Sequence, residues 1–126
     1  MKHTAYVVPT HPREPIRQIE VDDNFDFTGI IFEGTKYPDK HVGMSSLRHS
    51  EVQFVFDDMG LYRPGAIFNL NFRMMELCGL LYGMPARDIQ PLVGTFIVMG
   101  LDPSSGETQD VPITIETWVE LQGGTR

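Results

Sequence analysis

Residues 92–101, Leu-Val-Gly-Thr-Phe-Ile-Val-Met-Gly-Leu, constrain this chain more than any other stretch. The run is almost continuously apolar and rich in β-branched and aromatic residues. It reads as a central strand of a sheet, the kind buried on both faces. Asp102-Pro103-Ser104-Ser105-Gly106 ends it in a turn. Gly94 and Gly100 do not make a phosphate loop, which needs a GxxxxGK[ST] pattern before a helix, whereas Leu101 and Asp102 follow here. Glycines inside a strand instead permit close backbone approach or a bulge.

A helix is predicted over residues 70–82. Leu70, Met74, Leu77, Cys78 and Leu81 recur at helical spacing, Asn69 or Asn71 can cap the start, and Gly83 followed by Pro85 ends it. Only Arg73 and Glu76 are charged within it. So apolar a helix is buried on most sides or covered in part by a partner. Met is flexible enough for an adaptable interface. Arg73, Met75, Tyr82 and Met84 are therefore the candidate partner-binding residues, although core filling is the competing explanation for the methionines.

The remaining elements are shorter. Residues 5–9 and 16–21 read as two strands of an opening hairpin, with Pro9, Pro12 and Pro15 stiffening a long connection. Residues 25–33 fit a strand or a short helix, and residues 34–46, with two glycines, a proline and two serines, a loop. Residues 51–56 alternate as a half-buried strand does. Asp57-Asp58-Met59-Gly60 supplies turn chemistry, and Leu61 and Tyr62 would begin a return strand. In the tail, Ile113, Ile115, Val119 and Leu121 alternate as a strand, while Ile115, Trp118 and Val119 would serve a terminal helix; periodicity favours the strand. The expectation is an α+β fold: a small, mostly antiparallel sheet with one main apolar helix packed on it and room for a second, terminal helix. The 126 residues make one domain.

Charge narrows the function. Seventeen acidic against ten basic residues give a net charge of −7. Beyond Pro64 the only basic residues are Arg73, Arg87 and Arg126, and between Gly100 and Gln122 five acidic residues meet no base. Binding to nucleic acid needs clustered cations to displace counterions from phosphates, so a direct nucleic-acid role is not expected, nor is adhesion to anionic membranes. No stretch approaches the roughly 20 apolar residues that cross a bilayer, and the first residues lack the apolar run of a signal peptide. With Cys78 the single cysteine, the expected setting is a reducing cytoplasm.

No residue pattern points to catalysis, a metal or a cofactor. His3, His11, His41 and His49 lack ligand spacing, though His41 and His49 lie near Asp39 and Glu51. Cys78 falls toward the end of a helix, where the dipole disfavours a thiolate, so it is expected to be a small buried hydrophobe. Asp57 and Asp58 are adjacent, which sends them to opposite faces of a strand instead of one acid–base site. They read as turn residues.

Taken in order, Asp57-Asp58-Met59-Gly60-Leu61, Asn71 at the head of an apolar helix, and Pro91-Leu92-Val93 leading into Gly94-Thr95-Phe96-Ile97-Val98-Met99-Gly100 resemble a family of small uncharacterised proteins of phages, plasmids and other bacterial mobile elements. The resemblance covers residues 51–112. It implies a bacterial cytoplasmic setting and a terminal helix, and it transfers no active-site residue. The function expected is a non-catalytic binding module on a host protein, with a homodimer compatible. Two alternatives stand beside it. One is an acidic mimic of DNA, motivated by residues 102–120. The other is a small-ligand or nucleotide sponge that uses Arg63, Arg73 or Arg87 for an anion.

Overall fold

The computed structural model describes residues 1–46 and 51–123. Its elements in chain order are β1 (His3–Val8), β2 (Arg17–Val21), α1 (Phe27–Ile31), β3 (Val42–Ser46), β4 (Val52–Asp57), α2 (Phe72–Tyr82), β5 (Phe96–Leu101), β6 (Thr108–Gln109) and α3 (Ile113–Leu121). The fold is α+β. The strands form one antiparallel sheet in the order β2-β1-β5-β4-β3, with the short β6 paired to β5. The apolar run is the centre of that sheet, flanked by β1 and β4. His49 and Arg126 lie outside the described residues.

Register explains why β5 is apolar throughout. Tyr6, Val98 and Phe54 stand opposite one another in one row across β1, β5 and β4, and Val7, Ile97 and Val55 form the next. Successive residues of a strand face opposite sides. The first row therefore joins the core formed with Met74 and Leu77 of α2 and Ile115, Trp118 and Val119 of α3. The second joins Val21, Ile31, Phe32 and Met99, where α1 and its flanks cover the sheet. Both faces are roofed. Gly100 has its own reason: a Cβ there would overlap the Asp110 carbonyl oxygen, because β6 passes that close.

The helix read from the sequence is α2, and of the two candidate caps Asn71 is the one used. Asn71 is the one fully buried polar residue among those described. Its Oδ1 accepts the Met74 N–H at 3.0 Å, and its Nδ2 donates to the carbonyls of Val8 at 3.0 Å and Gly94 at 2.9 Å. Its own N–H donates to the Leu92 carbonyl at 2.8 Å. Thus the cap of α2 also ties the end of β1 to the approach to β5. Gly83 closes the helix with φ 69°. At Gly79 a Cβ would stand 2.7 Å from the Met84 carbonyl oxygen, so the chain can double back along α2 only across a glycine.

Three expectations are corrected. Residues 113–121 form a helix, not a strand. In a strand Trp118 would point away from Ile115 and Val119, whereas a helix buries all three on one side and leaves Ile113 and Leu121 exposed. The loop expected over residues 34–46 ends in β3, an edge strand whose mostly exposed residues had no apolar alternation to reveal it. Leu61 and Tyr62 belong to a 3₁₀ turn (Gly60–Tyr62) instead of a return strand, since β5 and β3 occupy both edges of β4. Residues 25–33, open between strand and helix, contain α1, capped by Asp26, which accepts from Thr28 N–H at 3.0 Å.

Replacing Asn71 by Ala removes a cap and takes the side-chain donor from the buried Val8 carbonyl and the part-buried Gly94 carbonyl. The expected loss is about 3 kcal/mol, read from urea unfolding with an unchanged m-value. Asn69→Ala, on the exposed alternative cap, is expected to cost under about 0.5 kcal/mol. Equal losses at the two positions would show that the buried amide does not fasten the sheet.

Candidate functional site

Between β4 and α2 the chain crosses the surface through residues 60–71 in two 3₁₀ turns, Gly60–Tyr62 and Ala66–Asn69, hinged at Gly65 with φ 71°. Arg63 is the only charged residue from 61 to 72, and it points inward. Its Nε and one terminal nitrogen donate to Asp57 at 3.0 and 3.1 Å. The other terminal nitrogen donates to Asp39 Oδ1 at 2.6 Å, and the first one also donates to the Asp39 carbonyl at 2.9 Å. The guanidinium carbon lies 4.1 Å from the Tyr37 ring centroid and 5.8 Å from that of Phe32. A planar fork that meets one carboxylate bidentately while stacking on an aromatic ring is work for which Arg, and not Lys, is shaped. The hydrogen bonds to Asp57 raise the Arg63 pKa further above its usual range, and the bond from Arg63 holds Asp39 below the usual carboxylate value.

This clamp fixes the backbone around side chains that do not bury themselves. Tyr62 is 81% exposed and Phe68 87%, with Leu61, Ile67 and Phe72 also exposed. Scattered single apolar residues on a surface need no explanation, but five exposed large apolar side chains along twelve residues are a concentration that does.

On one side of this ridge lies a cleft of about 500 Å³. Phe54, Phe56 and Phe96 of the sheet and Cys78 of α2 line it together with Leu61 and Tyr62 of the ridge. Tyr82, Met84, Ile89, Leu92 and Val93 extend its apolar wall, and Asp57, Asp58 and Asp88 lie among its polar lining residues. The aromatic side is well packed. Phe56 stacks on Phe96 with centroids 5.3 Å apart, and Phe54 meets Phe96 edge-on at 6.3 Å. Burial pushes the Cys78 thiol up to about 11, so at neutral pH it is a protonated, weakly polar part of the lining.

Of the candidate partner-binding residues, the structure brings Tyr82 and Met84 together in this cleft and leaves the other two elsewhere. Met75 does not line it. Arg73 is turned to the fold: its guanidinium donates to the carbonyls of Pro9, His11 and Glu14 at 2.7 to 2.9 Å, closing the proline-rich loop between β1 and β2. Desolvation lowers its pKa. Asp57 does act in a turn, accepting from Met59 N–H at 3.0 Å, but also as the partner of Arg63. That pairing, with Asp39 on a separate loop 24 residues away, has no spacing by which a sequence could announce it. Among the described residues no group of three His, Cys, Asp or Glu side chains could hold a metal ion, and no helix is long and apolar enough to cross a membrane.

Because folding lowers the Asp39 pKa, its ion pair stabilises the fold fully above the unfolded-state value of about 3.9. That stabilisation is lost as pH falls through the lowered value. Arg63→Gln is therefore expected to lower Tm by several degrees at pH 7 and to weaken the backbone heteronuclear NOE at residues 60–69. The gap to wild type should shrink below the carboxylate range, and a gap constant with pH would mean that the ion pair does not hold the segment. Compared with known proteins, the chain matches no protein-family model, no curated protein and no solved structure.

Proposed function

We propose that this protein is a non-catalytic binding module that engages another protein through the apolar ridge at residues 61–72. The observation that carries the reading is the combination of exposure and restraint. Leu61, Tyr62, Ile67, Phe68 and Phe72 stand in solvent on a segment that Arg63 pins from beneath. A free surface of large apolar side chains costs solvation, while a pinned one spares a partner the entropy of ordering it. Tyr and Phe are also the residue types that anchor interfaces. The resemblance to mobile-element proteins supports a bacterial host protein as the partner and the host cytoplasm as the place.

The alternatives have less support. Of the five acidic residues in the tail, Asp102 holds its own turn by accepting from Ser104, and Asp110 accepts from Thr4 N–H at 2.8 Å, which weakens a DNA-like row of free charges. An anion sponge needs free arginines; Arg63 and Arg73 are committed within the fold, which leaves it the exposed Arg87 beside Asp88.

Tagged wild-type protein and the variants Phe68→Ser and Ile67→Ser would be used to capture partners from bacterial lysate, read by mass spectrometry, with sedimentation of the purified proteins alongside. The expected outcome is one dominant host protein bound by wild type and lost from both variants. Capture that is unaffected by the substitutions would overturn the reading, as would a wild-type dimer that the substitutions convert to monomer, since the ridge would then be a self-interface.

A further inference from the structure

The apolar cleft beside the ridge has a charge pattern that selects an occupant. Asp57, Asp58 and Asp88 all line it, and no Lys, Arg or His side chain is among its described lining residues. The Asp57 charge is already matched by Arg63. Asp58 and Asp88 are exposed, and among the described residues neither has a cationic partner. Ser45 and Gln90 add two neutral polar side chains, and most of the remaining lining is apolar or aromatic.

We propose that this cleft binds a small organic cation, an amine or guanidine on an aromatic or aliphatic body, with the body against Phe54, Phe96 and Val93 and the charged head toward Asp58 and Asp88. A volume of about 500 Å³ falls within the range of small-molecule sites, which are mostly apolar with a few polar groups that orient the ligand. Tyr62 and Tyr82 add aromatic surface, on which an ammonium or guanidinium is also attracted by the ring quadrupole. An anion of the same shape would meet two uncompensated carboxylates. A neutral molecule of the same shape gains the apolar burial and at most a neutral hydrogen bond from Ser45, Gln90 or a carboxylate, without the attraction between opposite charges. The site is therefore opposite in sign to an arginine-based anion site, and it does not depend on whether the ridge binds a protein.

The test is an NMR titration of ¹⁵N-labelled protein with phenethylamine, tryptamine and octylamine, with 2-phenylethanol as the neutral counterpart and 3-phenylpropionate as the anion. Amide shifts are expected at Leu61, Cys78, Tyr82 and Val93, with the amines binding more tightly than the alcohol and the acid binding least. The double variant Asp58→Asn, Asp88→Asn, altered only at exposed side chains, is expected to weaken amine binding about tenfold and leave the alcohol unchanged, because each exposed pair contributes up to about 1 kcal/mol. Adding salt should weaken the amines alone. The proposal is overturned if amine and alcohol bind equally, if the shifts lie outside the cleft, or if none of the three amines binds. It is likewise overturned if only a lysine-bearing peptide such as acetyl-Phe-Lys-amide binds, since the occupant would then be a polypeptide segment.

Discussion

The side-chain amide of Asn71 sits where β1 ends, where the chain turns toward β5 and where α2 begins, and its hydrogen bonds let those three meet without leaving a buried carbonyl unpaired. The requirement is severe. The Val8 and Gly94 carbonyls need two donors from one group, and Met74 N–H needs an acceptor from the same group at the same place. Only a primary amide supplies both from a side chain this short. A buried polar group without its partners costs more than a satisfied one contributes, so the site is built as a complete set. Everything downstream inherits that geometry. With α2 fixed against the sheet, its C-terminal half brings Cys78 and Tyr82 to the cleft that Phe54 and Phe96 line from the sheet, and Gly79 lets residues 84–86 pass close enough for Met84 to join the cleft wall.

Which parts of this were legible in the sequence follows from how locally each was encoded. The β5 run, the alternation in β4 and the capped periodicity of α2 are local patterns, and all three elements lie where those patterns put them, though β5 itself begins at Phe96 instead of residue 92. The terminal segment carried two patterns at once, and only Trp118 separates them, because it shares a face with Ile115 and Val119 in a helix alone. The edge strand β3 was hidden for the opposite reason. Small and polar residues such as Ser45 and Ser46 suffice where a strand is exposed, and Gly43 is small because it passes Phe56 and the Asp58 carboxylate. Tyr82 and Met84 were legible as site candidates through their place at the end of an apolar helix. Of the residues that shape the rest of the site, Arg63 and Asp57 are six apart but follow no helix or strand spacing, while Asp39 lies 24 residues from Arg63 and Val93 far from Leu61, and no spacing rule connects them.

Charge is distributed with the same economy. A chain with seven excess negative charges has few cations to spend, and two of its arginines are used as internal fasteners. Arg73 gathers three carbonyls of a loop whose prolines cannot donate, and Arg63 joins two acidic residues from separate segments. This removes positive charge from both the ridge and the cleft. Their surroundings are left apolar or acidic, and so the electrostatic character of the surface is a consequence of what holds the fold together.

The ridge and the cleft also explain each other mechanically. Leu61 and Tyr62 stand at the edge of an apolar cavity, and the hydrophobic effect alone would draw such side chains into it. They remain outside because the backbone that bears them cannot follow. Arg63, the next residue, is held in the opposite direction by two carboxylates and an aromatic ring, Pro64 fixes φ at the following position, and Gly65 turns the chain in a left-handed conformation. Collapse into the cleft would require breaking an ion pair whose Arg and Asp57 side chains are both more than nine-tenths buried. That costs about 3–5 kcal/mol, comparable to what burying two exposed side chains would return, and the hydrogen bonds to Asp39 would be lost with it. An open apolar cleft beside an exposed apolar ridge is thus a stable arrangement of this chain, and the residue that keeps both available touches solvent at neither.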